Sequence, residues 1–173
     1  MKILYQTLFP LLAIVLLLAG CGVIHIDADA KAYPVSEKAV PAYKAGQTIT
    51  ITNYYAKPEV VALMPKRVEG DLKQYTDTAI KLLEQGLNYR DIKVAAGGEK
   101  TVKLRVYNVK YEQATWTIRT DVNIGVEMGN GESFSVFHHN PSPGNGWRSV
   151  NGAITRATEK VLKHPKFVRY INE

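Results

Sequence analysis

Polar and apolar positions alternate most regularly in the second half of the chain, and that half predicts a sheet. Over 101–111, Val102, Leu104 and Val106 face away from Lys103 and Arg105, and the pattern changes face near Tyr107 and Asn108, which predicts a bulge. Trp116, Ile118, Val122, Ile124, Val126 and Met128 then hold even positions, with Thr117, Arg119, Asp121, Asn123 and Glu127 between them. This reads as a long antiparallel strand with one dry face and one wet face. Gly129, Asn130 and Gly131 accept positive φ and predict a hairpin turn, with 133–139 as the returning strand.

The spacing changes to the helical period elsewhere. Over 71–88, Leu72, Tyr75, Ala79, Leu82, Leu83 and Leu87 form one apolar stripe, with Asp71 in the first turn and Asp77 four residues before Lys81 on the outer surface. A second helix is predicted over 149–164, with Val150, Ala153, Ile154, Ala157, Val161 and Leu162 inward and Pro165 ending it. Phe167, Val168, Tyr170 and Ile171 are too apolar for a loose tail and are expected to dock back on the fold. Shorter strands are predicted over 47–55, where Ile49 and Ile51 alternate with threonines, and over 91–95. The prolines and glycines of 140–146 predict a loop, and 58–65, between Pro58 and Pro65, reads as a helical turn or a lid over the core.

This order of elements implies an α+β domain: a two-layer arrangement with an antiparallel sheet of four to five strands and two helices on one face. No internal repeat accompanies it. Residues 22–46, interrupted by Pro34 and Pro41, read as an extended tether, with a short strand at 23–26 as the alternative.

The start of the chain changes the picture. A single Lys2 precedes eleven residues, Leu8 to Leu18, without a polar side chain, which is signal-peptide length and short for a bilayer span. Leu18, Ala19, Gly20 and Cys21 follow, and Cys21 is the only cysteine of 173 residues. This run resembles the lipobox of bacterial lipoproteins. The resemblance implies cleavage between Gly20 and Cys21, a diacylglycerol on the Cys21 thiol and an acyl chain on the new amine. It also implies an outer-membrane address, because Gly22 stands where an aspartate usually retains such proteins in the inner membrane. A protein bearing several acyl chains is held stably, whereas one chain holds it only marginally. The organisation expected is a leader over 1–20, a lipid-anchored tether over 21–46 and one periplasmic domain over 47–173.

Composition narrows the function classes. An exported chain whose one thiol carries lipid has no disulfide, so packing must stabilise it. The 22 basic and 16 acidic residues, with Lys2 the only charge of the leader, leave a formal charge of +5 on the mature chain. That excess reads either as an ordinary solvated surface or as a preference for anionic head groups, lipopolysaccharide phosphates or acidic polymers. Export disfavours nucleic acid as a partner.

Candidate chemistry is sparse. His138 and His139 are adjacent on a strand, so they point to opposite faces and cannot chelate one ion together. Neither a nucleophile elbow, a zinc-protease helix nor a phosphate loop is present, so no metal, cofactor or catalytic residue is assigned. The polar positions Arg119, Asp121, Asn123 and Glu127 read as a solvated sheet face before they read as a catalytic constellation. Trp147 and Arg148, at the end of the Pro-Gly loop, form the candidate binding loop, because this residue pair suits interface anchors. The alternative for Trp147 is a staple beneath the second helix. Tyr54, Tyr55, Tyr107 and Tyr111 are core edges or an aromatic strip for glycan or protein contact.

The lipobox, the helix around 78–87, the amphipathic strands and the closing helix around 153–164 before an apolar end are similar to the YajG-type small lipoproteins. They are similar also to the anticodon-binding-like periplasmic domains of outer-membrane accessory lipoproteins. The expectation is a non-catalytic envelope protein that binds a protein or envelope component. The alternatives are a binder or sensor of an acidic or amphiphilic envelope molecule, such as lipopolysaccharide or a glycan, and an envelope enzyme.

Overall fold

The structure, a computed structural model, describes residues 22–65 and 67–173; the predicted leader over 1–20 and the lipidation and cleavage site at Gly20 and Cys21 lie outside the described residues. In chain order the elements are β1 (Ile24–His25), a 3-10 turn (Glu37–Ala39), β2 (Thr48–Asn53), β3 (Val60–Met64), β4 (Val68–Asp71), α1 (Leu72–Asn88), β5 (Lys93–Val94), β6 (Lys100–Gln113), β7 (Ile118–Met128), β8 (Ser133–Ser142), α2 (Gly146–Lys163) and α3 (Pro165–Asn172). The fold is α+β, as the alternation and helical stripes predict.

The larger sheet has the order β5-β2-β6-β7-β8. β6, β7 and β8 are antiparallel neighbours, and the predicted bulge is present as a register shift between Tyr107 and Lys110, where Asn108 takes a φ of +50°. The sheet is mixed rather than antiparallel, because β2 runs parallel to both β5 and β6. α1 lies between β2 and β6 in the chain and returns it to the starting end, which is what parallel neighbours require. Val102, Leu104, Val106, Val122, Ile124 and Val126 are buried with the α1 stripe and with Val150, Ile154 and Leu162 of α2 in one core. Polar stitches join helix to sheet inside it. Thr120 Oγ1 donates to Ser149 Oγ at 2.8 Å, and the Val106 N–H donates to Thr76 Oγ1 at 2.8 Å.

Helix ends follow from local chemistry. Asp71 is the N-cap of α1, and its carboxylate accepts from the Lys73 N–H and the Glu59 N–H, both at 2.9 Å. Asp77 pairs with Lys73 at 2.7 Å rather than with the expected Lys81, because Asn53 Nδ2 also donates to that carboxylate and turns it toward β2. His164 caps α3 and Pro165 begins it, so the apolar end forms a helix with Phe167, Tyr170 and Ile171 buried.

Three predicted segments differ. Residues 58–65 hold no helical turn; β3 and β4 form a hairpin, and β1 adds to β4 in parallel to make a second sheet of order β1-β4-β3. Residues 22–46 are not a free tether. Ile26, Val35 and Val40 enter the main core, and the backbone between them is hydrogen-bonded to side chains of both α1 and α2. Trp116 is not on the dry face. The Ala114 N–H closes a turn onto the Thr117 carbonyl at 2.9 Å, so the strand starts only at Ile118 and Trp116 is 87% exposed.

Candidate functional site

Two surfaces present chemistry. The first is the face of the β6-β7-β8 sheet opposite the helices. Strand pairing sets Lys103, Glu127 and Ser133 in one row, Arg105, Gly125 and Ser135 in the next, and Tyr107, Asn123 and Phe137 in a third. The Arg105 guanidinium lies 5.2 Å from the Tyr54 ring and 4.9 Å from the Tyr107 ring, and Lys103 Nζ lies 4.8 Å from Tyr54. Phe137 and Tyr54 are exposed beside them. Gly125 makes room for these side chains to lie across β7: a Cβ there would stand 3.0 Å from Arg105 Nε and 3.4 Å from Tyr107 Cε1. The hollow over it measures about 300 Å³.

The predicted polar set is divided on this face. Asp121 meets His139 through a 2.6 Å contact between Oδ1 and Nδ1, Arg119 lies opposite Glu112 across the strand pair, and Glu127 lies opposite Lys103. These are cross-strand pairs rather than converging groups. His138 faces the other way, toward α2. Burial pushes its imidazole below the ordinary value, and the cations Lys160 and Arg156 add to that. Among the described residues no three His, Cys, Asp or Glu side chains converge as a metal site.

The second surface is a groove of about 890 Å³ at the end of the molecule where the described chain begins. Gly22, Ile24 and Arg67 line it together with Tyr111, Gln113 and Trp147. Its floor depends on Gly146, the first residue of α2, because a Cβ there would come within 2.6 Å of Tyr111 Oη and 2.8 Å of Ile26 Cδ1. Burial raises the Tyr111 phenol above its ordinary value, so it stays a neutral hydrogen-bonding group. Val23 and Ile24 are exposed beside the groove.

Trp147 and Arg148 are not on a loop. β8 runs through Pro141 to Ser142 as an edge strand, where proline is tolerated, and Asn145 caps α2 by accepting the Arg148 N–H at 2.9 Å. The two side chains also diverge. Trp147 lines the groove and meets the Tyr33 ring at 5.8 Å, while Arg148 borders a different shallow hollow beside Arg156. Of the tyrosines, Tyr54 and Tyr107 carry the cations, Tyr111 lies under the groove, and Tyr55 is half-buried with its hydroxyl donating to the Val106 carbonyl.

No protein-family model and no curated protein matches the chain. Among solved structures, a Xanthomonas campestris protein described under the family model DUF330 is similar at 11% identity and a TM-score of 0.49, covering 87% of this chain and 95% of that one. A PelC dodecamer from Paraburkholderia phytofirmans follows at 14% identity and 0.38, covering 71% and 91%. A neuraminyllactose-binding hemagglutinin homolog from Helicobacter pylori stands at 10% and 0.30, covering 81% and 96%. These likenesses are distant.

Proposed function

We propose that this chain is a lipid-anchored bacterial envelope protein, acylated at Cys21 and held at the outer membrane with its domain in the periplasm, and that the domain binds an envelope component without transforming it. The observation that carries the binding half is the sheet face left uncovered by the described residues, where Lys103 and Arg105 lie against Tyr54 and Tyr107 beside Gly125. A flat face of strands with aromatic and polar side chains suits a broad contact with a protein or a glycan. The anchor half rests on the lipobox resemblance of Leu18 to Cys21.

Labelling cells with an alkyne-bearing palmitate tests the anchor. The wild-type chain is expected to take up the label and fractionate with outer membranes, and Cys21→Ser to lose both. Retention of both by Cys21→Ser refutes it. A photocrosslinking residue at Phe137 in intact cells tests the face, with one defined envelope adduct expected and lost in Arg105→Ala.

The two cations favour one specific version of this reading, in which the bound component is acidic or amphiphilic. Purified lipopolysaccharide is then expected to bind in a salt-sensitive way and to weaken in the Lys103→Ala and Arg105→Ala variants. Binding that is indifferent to salt and to both substitutions leaves the protein-partner version.

A further inference from the structure

The anchor and the groove are close neighbours. Cys21 is three residues from Ile24, and Ile24 is fixed to the domain by pairing with Val68 in β1-β4. Three residues reach at most roughly 11 Å when extended. An acyl group on Cys21 therefore cannot be held away from the domain by a long tether, since the segment that reads as one is packed into the core at Ile26, Val35 and Val40. Whatever end of the domain carries Gly22 must lie at the surface of the leaflet.

That end carries exposed apolar and aromatic side chains beside the polar pair His25 and Asp27, which also line the groove. Trp116 is 87% exposed on the turn that closes β6 and β7, Ile24 is 63% exposed, Val23 50% and Trp147 39%. Gln113, immediately before that turn, lines the same groove as Ile24 and Trp147. The exposed Arg67 borders it. Tryptophan prefers the boundary between head groups and acyl chains, where its ring is dry and its N–H is wet, and an arginine there meets lipid phosphate.

We infer that this end of the domain is a membrane-contact surface: Trp116, Trp147, Val23 and Ile24 enter the interface of the leaflet that holds the Cys21 lipid. The inference rests on the proposed acylation of Cys21. It goes beyond it by fixing how the domain stands. The lipid is a second attachment added to an interfacial one, the groove opens toward lipid, and β6 rises from the leaflet. Its far end, at Lys100, then lies about 40 Å away along a 14-residue strand.

Tryptophan fluorescence of the mature protein, purified from bacteria that express the full chain and placed in vesicles of phosphatidylethanolamine and phosphatidylglycerol, with or without brominated acyl chains, tests this. The chain has two tryptophans, so Trp147→Phe isolates Trp116. A far-end probe, Glu99→Trp with both natural tryptophans changed to Phe, serves as control. The expected result is a blue shift and loss of most Trp116 emission in the brominated vesicles, with the far-end probe unchanged. Protein that floats with the vesicles while Trp116 is untouched by bromine overturns the inference and leaves the anchor standing. Equal quenching of both probes overturns it too. So does a shift of Trp116 that grows with protein concentration without bromine quenching, which marks a second copy covering this end. Protein that does not float overturns the acylation reading and the inference with it.

Discussion

The Asp29 N–H donates to Asn151 Oδ1 at 2.7 Å across 122 positions of sequence. Two further residues of the same helical stripe, four and eight positions on, repeat the arrangement. Thr155 Oγ1 donates to the Tyr33 carbonyl at 2.8 Å, and Glu159 Oε1 accepts the Ser36 N–H at 3.3 Å. α1 holds the segment from its side through Gln85, which accepts the Val35 N–H, and through Tyr75, which donates to the Ile26 carbonyl. An irregular segment thus has its backbone groups satisfied by side chains rather than by a ladder.

Asn151 is almost fully buried and its Nδ2 also donates to the Asp27 and Trp147 carbonyls, so truncating it removes the acceptor of the Asp29 amide and the donor of both carbonyls. Asn151→Ala is expected to cost about 1–3 kcal/mol of stability. Urea denaturation measures the loss, and hydrogen exchange should show faster opening of the Asp29 amide while the β7 amides fall only with global stability. Unchanged exchange at Asp29 counts against the clasp.

Thr76 does similar duty for the sheet. Pairing of β2 with β6 ends at Asn53 and Leu104, so beyond it the Val106 N–H turns to Thr76 Oγ1, which itself donates to the Leu72 carbonyl at 2.8 Å. Thr76→Val keeps the shape and removes the acceptor, with an expected loss of about 1–3 kcal/mol. Thr76→Ser retains the hydroxyl and should lose clearly less in the same urea titration.

Gly98 tests how closely the turn before β6 lies on β2. A Cβ there would stand 2.7 Å from backbone atoms of Ile49 and Thr48, which cannot swing aside as a side chain would. Gly98→Ala is expected to lower stability by about 1–3 kcal/mol, read as a drop in thermal midpoint. Gly97 has open space around it but a φ of +79°, so Gly97→Ala should also lower the midpoint, and Gly97→Asn, whose side chain tolerates the left-handed region better, should lower it less.

The parts legible in the sequence are those in which one periodicity runs long enough to name its face. The α1 stripe from Leu72 to Leu87 and the even positions of β7 are buried as the pattern predicts. β3 was hidden because its exposure is irregular and Pro58 and Pro65 flank it, and β4 because four residues with a glycine among them are too few to show a period. Gly70 in β4 is there for Tyr75, whose ring fills the space a side chain would take. Direction in the sheet was also hidden, since nothing in 47–55 says that it pairs in parallel with β6. The groove is assembled from residues near 24, 67, 111 and 147, which no local pattern connects. The polar sheet face was half visible: the alternation places Lys103 and Arg105 outward, but Tyr107 stands where the pattern changes face, and only the register brings it and Gly125 beside them, with Tyr54 against the two cations.

Acid should loosen the join between α2 and α3, through His164. Its Nδ1 accepts the Lys166 N–H at 3.3 Å as the cap of α3, and its ring stacks on Phe134 with centroids 3.8 Å apart. Burial holds its pKa below the ordinary 6.5, and Lys166 pushes in the same direction. The unfolded chain therefore binds a proton at higher pH than the folded one. Stability from this group is fully present above about 6.5 and is lost as pH falls toward the depressed folded value, because a protonated Nδ1 becomes a donor and can no longer accept the cap bond. His138, also depressed by burial and neighbouring cations, adds a loss of the same sign. His164→Asn keeps a capping oxygen without a titrating ring. Its stability at neutral pH should fall with the lost stacking, but the slope of the urea midpoint against pH below about 6.5 should become shallower than in the wild type. A slope equal to the wild type would mean that protonation of His164 does not govern this junction.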